Sequence, residues 1–236
     1  MKIVKKVMLI IGFLSIILTG CTKKVVDESS QTNTVTDVDG NVYKTVAIGT
    51  QTWIVENLKV TKLNDGTSIP NVTANNAWSI LATPGYCWYN NDMSNKNVYG
   101  GLYNWYTVST GKLCPTGWHV PSVSEWTTLI NFLGSETVAG GKMKETGLSH
   151  WITPNAGATN SSGFTALPAG IRYSNTDNFA GSLGFDANFW TSTQYTDQYN
   201  NEYTVTDISL GNDGTYVYFY HHALKKDGNS VRCCKD

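Results

Sequence analysis

The chain has 236 residues, with 17 basic and 18 acidic side chains and a formal charge of −1. Taking the three leader lysines (Lys2, Lys5 and Lys6) from the 17 leaves 14 against 18, a charge of −4; with no basic block anywhere, nucleic acid is excluded as an expected partner. Charged residues make up only 15%, while Asn, Thr, Ser, Gly, Tyr and Trp abound, the palette of an exported β-rich domain.

The three lysines precede a twelve-residue apolar run at 7–18, too short to span a bilayer comfortably. A basic flank, a short apolar stretch and small residues before a cut site make a signal-peptide pattern. Leu18-Thr19-Gly20-Cys21 is similar to a bacterial lipobox, in which Cys21 is lipidated on its thiol and becomes the new N-terminus. The expected organisation is a signal peptide over 1–20, a flexible tether over 21–35 and one folded domain over 36–236. The membrane is then a partner through the lipid anchor, and the location is the cell envelope, at the outer membrane or cell surface. The tether is polar, and its Asp27-Glu28 pair reads as solvated.

Folded sequence starts near Val35. Asp39-Gly40 between residues 34–38 and 42–48 predicts a β-hairpin, and residues 51–58 predict a third strand. Residues 62–97, rich in Asn and Gly, read as long loops over the core. Residues 101–109 read as a short helix. The clearest helix spans 122–133: Ser122 and Glu125 form a capping box, and Val123, Trp126, Leu129, Ile130 and Leu133 recur as one apolar stripe. Gly134 stands where the helix should stop. A further helical turn is expected over 139–146. Strands are predicted at 164–173, 189–194, 203–210, 216–221 and 229–234, with long polar loops at 174–188 and 195–202. The fold class is α+β, a mostly antiparallel sheet with one main helix and long loops.

Four cysteines follow Cys21. Cys233 and Cys234 are adjacent at the end of a predicted strand and therefore point to opposite faces. The expected disulfide is Cys114–Cys233, with Cys87 and Cys234 either paired or free.

Motifs for chemistry are sparse. No nucleophile elbow, phosphate loop or zinc-protease motif occurs, and no cofactor is expected. Asp92-Met93-Ser94-Asn95-Lys96-Asn97 lacks the glycine and distal glutamate of a calcium loop and reads as a polar turn. Strand alternation separates His221 from His222, so no shared metal site is expected there. His119 has no nominated partner and reads as a core histidine bonded to backbone. Trp53, Trp118, Trp126 and Trp190 read as core. The positive signal for binding is the set of aromatics in predicted loops, Tyr173, Phe179, Tyr195 and Tyr199, which suit stacking on sugars or a protein interface.

Cys114-Pro115-Thr116-Gly117-Trp118-His119-Val120-Pro121 with Glu125-Trp126 resembles the Fibrobacter succinogenes major paralogous domain family. The resemblance continues through Asp39-Gly40-Asn41-Val42-Tyr43, Gly49-Thr50-Gln51-Thr52-Trp53, Tyr99-Gly100-Gly101-Leu102-Tyr103, Phe189-Trp190-Thr191-Ser192-Thr193 and Ser230-Val231-Arg232-Cys233. It implies an exported, often lipid-anchored protein. The helix-entry block is also similar to formylglycine-generating-enzyme-like domains, which implies a C-type-lectin-like fold with a ligand face on the loops 174–188 and 195–202. No active-site cysteine pair of that type aligns here. The expected function is a non-enzymatic surface module that binds an extracellular glycan or an envelope protein. The alternatives are a structural envelope component or an enzyme of the formylglycine-generating type.

Overall fold

The N-terminal hairpin forms because its turn is chemically specified. Asp37 accepts the backbone N–H groups of Asp39 and Asn41, both at 2.9 Å, and Gly40 takes a φ of +84° that a side chain would resist. A computed structural model describes residues 33–175, 179, 182–195 and 204–236. The leader, Cys21 and most of the tether lie outside them.

Strand β1 (Thr34–Thr36) pairs with β2 (Val42–Ile48), and β2 with β3 (Gln51–Ile54), all antiparallel. Residues 62–97 hold α1 (Asn75–Ser79), β4 (Tyr86–Cys87) and α2 (Lys96–Tyr99), more structure than the predicted loops. The predicted helix at 101–109 divides into β5 (Leu102–Tyr103) and α3 (Trp105–Val108), because the Asn104 side chain caps the helix by accepting from Thr107 N–H at 3.1 Å. After β6 (Trp118–His119) comes α4 (Val123–Leu133), with both halves of the Ser122–Glu125 capping box formed and Gly134 at a φ of +125°. Helix α5 (Glu136–Met143) starts three residues earlier than expected. Then follow β7 (Asp186–Gln194), β8 (Thr204–Gly211), β9 (Tyr218–Leu224) and β10 (Cys234–Lys235). The architecture is mixed: mostly antiparallel sheets, ordered β1-β2-β3-β10-β6, β4-β5 and β7-β8-β9, with a few short helices. Residues 32–236 form one compact unit.

Two predicted strands are corrected. Residues 164–173 make only single bridges, at Ala166, Gly170 and Arg172, because Thr165 and Gly170 adopt positive φ and break the ladder. Residues 229–233 are extended but pair with a different neighbour at almost every step. Asn229 C=O accepts from Tyr103, Ser230 from Trp190, Val231 from Leu58 and Cys233 from Ile54. Cys234 then pairs with both Trp53 and His119. This segment joins the sheets.

The apolar stripe of α4 is buried between two sheets. Trp126 is fully buried, with ring centroids 4.8 Å from Trp53 and 5.7 Å from Phe189. Burying such a side chain contributes roughly 3 kcal/mol. Trp53 and Trp190 are core as expected, but Trp118 is only partly buried. A disulfide joins Cys114 to Cys233 across 119 residues. Cys87 and Cys234 are free and lie in different apolar clusters, so they cannot pair.

Arg232 is completely buried, and among the described residues its hydrogen-bond acceptors are an amide and backbone carbonyls, with no carboxylate. Its guanidinium donates to Asn57 Oδ1 at 2.7 Å and to the carbonyls of Phe164 (2.7 Å), Thr165 (2.9 Å) and Ile54 (3.2 Å), between the rings of Phe164 and Phe189. Only a planar five-donor fork satisfies four acceptors so arranged. Arg172 does the same under Trp78 and Phe179, donating to Val72, Thr73 and Asn75. The Lys144 ammonium donates to the carbonyls of Ala156, Gly211 and Gly214. All three cations are structural.

Candidate functional site

The β7-β8-β9 sheet has one oily face and one mixed face, set by period-2 alternation, where polar side chains sit beside the core residues Trp190 and Ala223. Ala187 and Phe189 of β7, with Ile208 and Leu210 of β8, face the core under Trp126. The other face carries Asp186 and Asn188 from β7, Asp207 and Ser209 from β8, and Tyr218 and Tyr220 from β9. Cross-strand register aligns them in rows: Asn188, Ser209 and Tyr218 in one, Trp190, Asp207 and Tyr220 in the next.

A wall from outside the sheet turns this face into a cavity of about 450 Å³. Ile171 and Tyr173 line it, while Arg172 between them points the other way, onto Trp78 and Phe179. Asp227 closes another side, held by the backbone N–H and hydroxyl of Ser174, both at 2.8 Å. Asp207 forms the floor. It is 3% exposed and accepts from Asn229 Nδ2 at 2.9 Å on Oδ2, while Oδ1 finds no hydrogen-bond partner among the described residues. That oxygen is itself fully buried and does not open into the cavity, so its unmet hydrogen bond is a cost carried by the charged form of Asp207.

Among the described residues, no lysine, arginine or histidine lines the cavity. The two lysines before Asp227 are used elsewhere: Lys225 sits over the Trp105 ring at 5.2 Å, and Lys226 lines a separate cavity of about 280 Å³. Burial, joined by repulsion from Asp227, pushes the Asp207 carboxyl up to about 7. Burial likewise raises Asp227, and burial with the nearby Asp213 raises Asp186.

Of the aromatics expected to bind ligand, Tyr173 stands at the rim of this cavity, 39% exposed. Phe179 is buried against Tyr89 and the Arg172 guanidinium, and so packs the core instead of presenting a face. Tyr195 lies elsewhere, stacked on His221 at 5.1 Å, and Tyr199 lies outside the described residues. Sequence reasoning missed Asp186, Asp207 and Asp227. The signal was present at Asp207-Ile208-Ser209-Leu210, where an acid poorly suited to a strand alternates with core residues.

Two histidine expectations are corrected. A bulge sets His221 and His222 together opposite Thr206, between the pairs Val205–Ala223 and Asp207–Tyr220. Both imidazoles therefore approach Tyr195, at 5.1 and 5.8 Å, despite the alternation argument. His119 is half-buried and binds carboxylates, not backbone: Nε2 meets Glu125 Oε1 at 2.6 Å and Nδ1 meets Asp236 Oδ1 at 2.7 Å. Burial alone would lower its pKa, but those two hydrogen bonds prevail and hold it above the usual imidazole value. His119, Glu125 and Cys234 place ligand atoms within 4.8 Å of one another, the one such trio among the described residues. Both His119 nitrogens are already engaged, and burial pushes the Cys234 thiol up to about 11, which fits a hydrogen-bonded clasp of the C-terminus better than a metal centre.

The cavity thus sits on a scaffold whose sequence hallmarks build structure. Residues 46–235 match the Fibrobacter succinogenes major domain. The chain belongs to that family. No curated protein and no solved structure matches it. Within this Fibrobacter succinogenes major domain, the blocks around Trp118–His119 and Ser230-Val231-Arg232-Cys233 supply the helix cap, the disulfide and the buried guanidinium, and none of them lines the cavity.

Proposed function

We propose that this protein is a non-enzymatic binding module of the cell envelope, and that it binds its ligand in the cavity on the mixed face of β7-β8-β9. The observation that carries this is the cavity itself, rimmed by Tyr173, Tyr218 and Tyr220 and lined by polar side chains that include Asp186, Asn188 and Ser209 on a rigid sheet. A concave site of a few hundred cubic ångströms with a few convergent polar groups is the usual form of a ligand pocket. The free thiols speak against catalysis of the formylglycine-generating type: Cys87 and Cys234 lie in separate clusters, and burial pushes each up to about 11.

The reading includes attachment through a lipidated Cys21 after removal of residues 1–20, at the outer membrane or cell surface. The basic flank and the Leu18-Thr19-Gly20-Cys21 segment support it. It also includes a C-type-lectin-like fold, supported by the pairing of β3 with β10, which brings the start and end of the domain side by side.

A fragment library screened against the full chain by ligand-observed NMR tests the site. Hits should compete with one another and vanish together in a Tyr173→Ala/Tyr220→Ala double variant. Hits indifferent to that variant would contradict the assignment. Intact-mass analysis tests the anchor, with diacyl-modified Cys21 expected at the N-terminus and a Cys21→Ala chain released from the membrane.

A further inference from the structure

We propose that the cavity takes a neutral sugar: one pyranose residue of a glycan, with its hydroxyls on Asn188 and Ser209 and its C–H face against Tyr218. This rests on reading the cavity as the binding site and assigns its ligand class. Asn188 is only 7% exposed and lines the cavity, yet its side-chain amide makes no hydrogen bond among the described residues. Unlike Asp207 Oδ1, neither amide atom is sealed off, so the amide reaches the cavity. Leaving a largely buried amide unpaired is costly, and a ligand that pairs it recovers that cost. Ser209 stands directly across from Asn188, and Tyr218 directly across from Ser209. The Ser209 hydroxyl also lacks a protein partner among the described residues. One cross-strand row therefore presents an open amide, an open hydroxyl and an aromatic ring in line.

The donor set selects the ligand. An amide offers a donor and an acceptor side by side, and a serine hydroxyl can act as either. Adjacent sugar hydroxyls meet both, because each donates and accepts from one atom. A purely apolar ring would leave Asn188 and Ser209 unpaired. Charged ligands find little to hold them. Asp227 has both oxygens taken, one by Ser174 and the other by the Leu224 N–H, and the unpaired Asp207 oxygen is sealed. Asp186 alone is left to accept from a further hydroxyl, and an anion would meet no cationic side chain among the described lining residues. The rings fit the other side of a sugar. Tyr218 and Tyr220, alternate residues of β9, are 58% and 56% exposed. Each is held by a neighbour outside the cavity lining: Tyr216 stacks on Tyr218 at 5.9 Å, and His222 meets Tyr220 edge to face at 6.2 Å. Rings fixed before binding lose little freedom on contact, and their faces suit the flat C–H face of a pyranose.

The test is ligand-observed NMR titration of the full chain with the methyl α- and β-glycosides of glucose, galactose and mannose, the matching uronic acid glycosides, and p-cresol. At least one neutral glycoside should bind, and its uronic acid counterpart should bind at least about tenfold more weakly, since Asp186 and Asp227 flank the site. Asn188→Asp keeps the size but loses the donor, and should weaken the sugar about tenfold or more. Tyr218→Ala should do the same, whereas Tyr218→Phe, which keeps the ring, should bind like wild type. Tyr218 is exposed, so its two variants test the site even where Asn188→Asp lowers the thermal midpoint. A trisaccharide of the preferred sugar should bind at least as tightly as its methyl glycoside. Its exclusion would overturn the glycan and leave a free sugar. Uronic acids bound as tightly as neutral glycosides, or sugar binding indifferent to Asn188→Asp and Tyr218→Ala, overturns the proposal. Silence from every glycoside overturns the sugar as well, and p-cresol still bound in a Tyr218-dependent way would leave the cavity as the site. Fragment hits that do not map to the cavity at all overturn both.

Discussion

The Asn229 side-chain amide donates to one oxygen of Asp207 at 2.9 Å, while the other oxygen is buried with no side-chain partner among the described residues. Asn229 is itself locked in place by backbone hydrogen bonds with Tyr103 in both directions, at 3.0 and 3.1 Å. The burial that enforces this arrangement disfavours the charged form and raises the Asp207 carboxyl.

The Asp207 carboxyl makes stability depend on pH with a definite sign. Burial pushes it up to about 7, well above the ordinary aspartate range, so the folded state holds this proton more tightly than the unfolded state does. Stability from this group is full below about pH 4 and is lost as pH rises through about 7. Asp207→Asn should therefore match wild type near pH 4 and exceed it at pH 8 by about 2–4 kcal/mol. Urea denaturation at the two pH values measures this. A variant less stable than wild type at pH 8 would show that the charged carboxylate is well solvated.

Arg232→Met keeps much of the side-chain volume but leaves Asn57 Oδ1 and the carbonyls of Ile54, Phe164 and Thr165 without their donor. The expected loss is roughly 3–5 kcal/mol. Arg232→Lys should recover only part of it, because an ammonium cannot reproduce the planar fork. Full recovery by lysine, read from denaturant midpoints, would contradict the geometric role given to the guanidinium.

Cys114→Ser should destabilise the fold by about 4–5 kcal/mol, the chain-entropy estimate for a loop of this length. Non-reducing peptide mapping should recover Cys114 joined to Cys233, with Cys87 and Cys234 alkylated only after unfolding. A Cys87–Cys234 crosslink in the native protein would contradict their placement in separate apolar clusters.

What could be read from the chain was what is encoded locally. The Ser122–Glu125 cap, the Trp126 stripe and the Gly134 stop all lie within one helix, and each is as expected. The opposed faces of Cys233 and Cys234 follow from strand geometry alone, and the two do fall in different clusters. Long-range features were hidden. Residues 164–173 have strand-like composition, but positive φ at Thr165 and Gly170 breaks the ladder. His119 gained Asp236 as a partner because β10 returns to β6, whereas its other partner, Glu125, is local to the start of α4. The cavity depended on distance too: Asn188, Ser209 and Tyr220 line it together with Tyr173 and Asp227, which come from other segments.

The most direct test of the account compares two aromatic variants in one binding assay. With a cavity-bound fragment hit as probe, Tyr220→Ala should weaken binding at least about tenfold, since its ring lines the cavity in the same cross-strand row as Asp207. Tyr195→Ala, which removes a ring stacked on His221 outside that cavity, should leave binding unchanged. Loss of binding in Tyr195→Ala with retention in Tyr220→Ala would move the site off the mixed face of the sheet and contradict the central claim.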